Sequence, residues 1–128
     1  MTYPGDSSAS SGPTSTGLPA NVAGALAYVL GPITGVIFYI LEKENRFVRF
    51  HAAQSIAVFV MMFIVGIVLT VLGTILGFVP IIGWLIAMLL SFGLSVVSFV
   101  LWIFLMWQAF QGNEWEAPFA GVFARRMV

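Results

Sequence analysis

Between Ala52 and Asn113 the chain runs for 62 residues without an Asp, Glu, Lys or Arg. One bilayer crossing needs about 20 apolar residues, so this stretch alone predicts two crossings. A second charge-free run of 35 residues, Ser7 to Leu41, precedes it and predicts a third. Composition points the same way: 60% of the 128 residues are hydrophobic and only 8% charged, against about 25% charged in a soluble domain. The expected fold is an all-α integral membrane protein with three transmembrane helices, an interfacial elbow helix and a C-terminal amphipathic surface helix.

The boundaries follow from local chemistry. Residues 1–18 hold five Ser, three Thr, three Gly and two Pro, too little apolar surface to offset the entropy of ordering, so a disordered tail is expected ahead of a membrane domain over 19–128. No basic residue precedes the first apolar run, which therefore reads as a retained anchor and not as a signal peptide. Spans are expected over about 20–41, 53–77 and 81–110, with Gly77, Pro80 and Gly83 as turn residues between the last two. Gly31-Pro32 should kink the first span, because Pro removes a donor and crowds the preceding turn. Interfacial segments are expected over 44–52 and 117–127. Across the run GNEWEAPFAGVFARRMV, Trp115, Phe119, Val122, Phe123 and Met127 lie near one helical face, with Pro118 in the first turn.

All five basic residues fall in two places, Lys43, Arg46 and Arg49 in the first loop and Arg125 and Arg126 near the C-terminus. Cytoplasmic loops retain Lys and Arg. Three spans would put both clusters in the cytoplasm and the tail outside, in the cell membrane. Tyr39, Trp107 and Trp115 on one side and Trp84 on the other suit interfacial aromatic belts.

The stretch ENRFVRFHAAQS, residues 44–55, carries most of the sequence's chemistry. If Asn45 caps a helix, Phe47, Phe50 and Gln54 share one stripe while Arg46 and Arg49 lie on another. This reads as an elbow with its phenylalanines in the acyl boundary and its arginines at headgroups; a recognition site for a headgroup or partner is the alternative. His51 is the only histidine, and with no cysteine it assembles neither a metal set nor a nucleophilic pair. The sequence therefore predicts no enzyme, no cofactor and no catalytic or metal-binding residue. Balanced charge argues against nucleic acid as a partner.

What the spans do offer is small residues at helical spacing: Gly31 and Gly35 in the first, Gly66, Gly73 and Gly77 in the second, Ser91 and Ser95 in the third. Such stripes let backbones approach. They serve either packing within one bundle or association with a partner or second copy.

The run LGPITGVIFYILEKENRFVRFHAAQS, with WIFLMWQAFQGNEWEAPFAGVFA later, resembles a family of small prokaryotic membrane proteins of unknown function, described as similar to the Tic-type protein-import component of the chloroplast. The likeness covers about Leu18 to Ala124. Its positions are Gly31, Pro32, Glu42, Arg46, Phe47, Arg49, Phe50, His51, Ala52, Gln54 and Ser55, with Ala109, Gln111, Gly112 and Pro118 in the second motif. The resemblance implies an integral membrane protein without an assigned reaction. The favoured reading is a non-catalytic interaction, assembly or translocation accessory component in the lipid bilayer, partnered by another membrane protein or by its own copies. An oligomeric channel or small transporter is the alternative.

Overall fold

The computed structural model describes residues 12–128; the expectation of disorder over the tail falls largely outside them. Five helices follow in order: α1 (Ala20–Val29), α2 (Pro32–Leu41), α3 (Arg46–Leu76), α4 (Ile82–Phe110) and α5 (Ala120–Met127). There are no strands among the described residues.

Helices α3 and α4, of 31 and 29 residues, are long and apolar enough to cross a membrane. Their side chains beyond about Val60 are largely exposed, Phe63 at 71% and Leu89 at 70%. A soluble core helix would hide such residues, so these faces belong in lipid. Asn45 caps α3 as expected, its side chain accepting a bond from the Val48 N–H. The turn at the far end also falls where Gly77, Pro80 and Gly83 predicted it. A Cβ at Gly83 would stand 1.7 Å from the Leu76 carbonyl oxygen, so only glycine lets α4 start against the end of α3.

The first expected span is different. Residues 20–41 form two helices of ten residues each, not one crossing helix. Each is about 15 Å long, half of the roughly 30 Å hydrocarbon thickness. Gly31 has φ 64°, a conformation that glycine adopts without strain, and Pro32 then opens α2 where its missing donor is harmless. The chain folds back instead of kinking. The Ser15 N–H donates to Glu42 Oε2 at 2.7 Å, the Lys43 N–H to Ser15 Oγ at 2.9 Å, and Asn45 Nδ2 to the Pro13 carbonyl at 3.1 Å. Both ends of the α1–α2 pair thus meet at the start of α3. The described end of the tail lies beside the first loop, not at the opposite end of the molecule from it.

Two further expectations are corrected. Residues 44–52 are not a separate surface elbow: from Arg46 onward they are the first turns of α3, and Phe47 and Phe50 are buried by α1, α2 and α5 instead of entering lipid. The C-terminal helix is docked on the protein and not held by lipid alone. Its Ala120, Gly121 and Ala124 are buried, and Ala124 packs with Phe50 and Ala53 of α3. The core is therefore a knot of short helices around the first third of α3, which we call the foot.

Candidate functional site

The centre of the foot is a polar network inside apolar walls. His51 and Gln54 sit one helical turn apart on α3 and face α1 and the segment after α4. Gln54 Nε2 donates to the Tyr28 hydroxyl at 2.9 Å and to the Trp115 carbonyl at 2.8 Å, while its Oε1 accepts from the Ala117 N–H at 2.8 Å. These opposite partners fix the amide's orientation. Tyr28 Oη lies 2.7 Å from His51 Nδ1, and His51 Nε2 lies 2.8 Å from the Asn113 carbonyl oxygen. A carbonyl only accepts, so the network assigns the proton to Nε2; Nδ1 then accepts from Tyr28. Tyr28, Phe47 and Phe50 set their rings edge-on around the imidazole, with centroids 5.5, 4.6 and 5.2 Å away.

A second ring of contacts surrounds this centre. Arg49 Nη1 donates to the carbonyls of Tyr39 and Glu42 at 3.1 and 2.8 Å, the groups left unpaired at the end of α2. Its guanidinium also stacks over the Tyr39 ring at 4.5 Å. Glu42 is buried, and Oε2 accepts from the N–H groups of Ser15, Glu44 and Asn45. Burial pushes this carboxyl upward, but the bonds from Ser15, Asn45 and Glu44 outweigh it and hold it below the ordinary range. Arg125 pairs with Glu114 and, at 2.9 Å, with Glu116, and lies 4.0 Å from the centre of the Phe50 ring. Burial alone would lower its affinity for the proton; the two carboxylates raise it.

This arrangement holds segments together. Gln54 alone ties α1, α3 and the chain after α4, and each ring nitrogen of His51 has a partner. Among the described residues no three of His, Cys, Asp and Glu converge as a metal set.

Of the residues singled out in the sequence, Phe47, Arg49, Phe50, His51 and Gln54 do come together, but as a buried clamp. Arg46 stays exposed. Gly31 and Gly35 press against α3, where added Cβ atoms would meet Phe59 at 2.9 Å and Ser55 at 3.0 Å, and Ser55 Oγ donates to the Gly31 carbonyl. Pro32 is exposed. Gly73 faces Ala87 of α4, and Gly77 lies near Trp84. Gly66 faces open space. Ser91 and Ser95 are exposed, and Ser95 Oγ donates to the Ser91 carbonyl in its own helix. Sequence reasoning missed Tyr28, Asn113 and the Glu114–Arg125 pair. A signal existed for the pair: Glu114, Glu116, Arg125 and Arg126 are the only charged side chains after Arg49.

The two motifs of the expected resemblance are thus one structure, since residues 109–118 dock on residues 42–55. The chain is 42% identical over 115 residues to a UPF0132 membrane protein of Methanocaldococcus jannaschii, covering 90% of this chain and 94% of that one. It is 38% identical over 109 residues to a UPF0132 membrane protein of Archaeoglobus fulgidus, covering 84% of this chain and 94% of that one. A second M. jannaschii relative, also named a UPF0132 membrane protein, is 36% identical over 110 residues, covering 86% of this chain and 71% of that one. None of these names mentions protein import. No solved structure matches the chain. Residues 15–124, from the tail contact at Ser15 to Ala124 of α5, match a described family, and the chain belongs to that magnetosome magnetite crystal formation protein family.

Proposed function

We propose that this protein is a non-catalytic membrane component that holds a rigid foot at one membrane face and offers its two long helices to lipid and to other membrane proteins. The observation that carries this reading is the contrast in polar chemistry. In the foot, buried polar groups are engaged with one another. In the exposed parts of the long helices, Thr70, Thr74 and Ser95 bond their own backbone, at Gly66, Thr70 and Ser91, while Ser98 donates across to Met62 Sδ. A conduit for ions or polar solutes needs such groups turned toward the path, which weighs against the channel reading. The family's name concerns magnetite crystals; Glu114 and Glu116 pair with Arg125 and Glu42 Oε2 accepts from backbone N–H groups, which favours a role in membrane assembly over contact with mineral.

Orientation follows from the same geometry. All five basic residues lie at the foot end, and the bias of Lys and Arg toward the cytoplasm supports an orientation with the foot there and Ser15 beside it. The α1–α2 pair then enters and leaves the membrane from the cytoplasmic side. Crosslinking in native membranes with identification of the captured protein tests the role. Recurrent capture of one membrane protein through α3 or α4 is the expected result. Solute flux through vesicles holding the purified protein would overturn it in favour of a channel.

A further inference from the structure

Beyond the polar network, the foot carries an apolar groove. It runs along the seam between α3 and α5, with a volume of about 410 Å³ and almost no polar atom in its walls. Ile56, Val60 and Ile64 line one side and Phe119, Phe123 and Met127 the other. Phe119 and Phe123 are exposed at 78% and 59% although Ala120 and Ala124, on the same short helix, are buried. Helix α5 therefore uses one face to dock and leaves a second aromatic face unfilled.

The groove's length and the charge beside it narrow what fits. From Ile56 to Val65 is nine helical rises, about 14 Å, or about one leaflet of the roughly 30 Å hydrocarbon layer. A spanning partner helix would seek contact over twice that depth. Beside the Phe123 wall of the groove the guanidinium of Arg126 stands 6.0 Å from the centre of the ring. Arg125 is committed to Glu114 and Glu116, while Arg126 is exposed and has no carboxylate within ion-pair distance among the described residues. An apolar slot one leaflet deep under a single uncommitted cation has the charge and shape of an anionic amphiphile.

We propose that this groove seats one acyl chain of an anionic phospholipid, with the headgroup phosphate at Arg126. The test uses the full chain in phosphatidylcholine vesicles doped with chain-photoactivatable phosphatidylglycerol or phosphatidylcholine, with adducts mapped by mass spectrometry. Adducts on residues 56–65 and 119–127 are expected to favour the anionic probe about five-fold, the factor for about 1 kcal/mol per basic side chain near an anionic lipid. Arg126→Gln should bring the two probes to parity and leave the adduct positions unchanged. Val60→Trp should empty the groove of both, and circular dichroism of each variant checks that the helices persist. Equal labelling by the two probes in the unaltered protein would overturn the headgroup assignment. Adducts spread evenly over lipid-facing residues such as Val97 and Val100, or a second protein chain crosslinked in the groove, would overturn the acyl-chain seat.

Discussion

The first third of α3 and its remaining two thirds belong to one continuous helix yet follow opposite rules. From Phe47 to Ser55 every residue but Arg49 is buried, and His51, Gln54 and Ser55 are all hydrogen-bonded across the foot. From Val60 to Leu76 no residue is buried, and the hydroxyls turn back on their own helix. The foot is specified by partners, because a buried amide or imidazole left unpaired costs about 1–3 kcal/mol. The far part is specified by its solvent: lipid tails are as apolar as leucine, so association there depends on close backbone approach and not on hydrophobicity. The difference teaches that one end of this protein is specified by its own contacts and the other by the lipid around it.

The strongest test of this division is topological. With no native cysteine, single cysteines at exposed Thr16, at Val128 and at Phe78 in the far turn report which end lies outside. We expect Phe78→Cys to react with an impermeant thiol reagent added to intact cells, and Thr16→Cys and Val128→Cys to stay unlabelled. Labelling at Thr16 without Val128 would mean that α1 and α2 together cross the bilayer, against the fold-back at Gly31; labelling at both without Phe78 would invert the orientation.

Next in size is the loss of the clamp. Gln54→Leu leaves the Ala117 N–H and the Trp115 carbonyl without their partner, each worth about 1–3 kcal/mol when buried. The melting temperature in mild detergent should fall markedly, and protease should cut near Trp115. A variant that melts like the parent would show that the foot does not depend on this amide.

A smaller effect separates the two halves by packing. Gly73→Leu should lose about 1–3 kcal/mol, because a Cβ there would already be in van der Waals contact with the Ala87 Cβ at 3.6 Å, leaving the leucine branch beyond it to push α4 away. Gly66→Leu should be silent in the monomer, having nothing within 4 Å, as should Val68→Leu, which is 51% exposed. Should Gly66→Leu alter oligomer size by light scattering while melting unchanged, the far part of α3 carries an interface between chains.

The smallest expected effect is on pH dependence. Glu42 binds its proton more weakly in the fold than at its ordinary value of 4.5. Its contribution is therefore complete above that value and lost as pH falls through the lower folded value. Stability measured from pH 6 downward should decline less in Glu42→Gln than in the parent. Parallel declines would show that Glu42 does not carry the acid sensitivity.

Much of this protein was legible from residues alone. The charge-free run predicts two crossings, Gly77 and Gly83 bracket the turn between them, Asn45 marks the start of α3, and Pro32 interrupts the first apolar run. Each of these depends on chemistry acting within one helical turn or on the composition of a long segment, and both are written locally. The sequence also pointed to Phe47, Phe50, His51 and Gln54, but set the phenylalanines and Gln54 toward the acyl boundary and His51 at the interface. Only the tertiary structure turned α2 back beside α1, carried Ser15 to Glu42, and placed Asn113 and Trp115 against residues more than 60 positions earlier. Whether a phenylalanine faces acyl chains or a buried imidazole is not visible in its spacing, since lipid and protein interior are nearly the same solvent to it. The decision came from the polar groups, which have no partner in hydrocarbon and must find one across the chain.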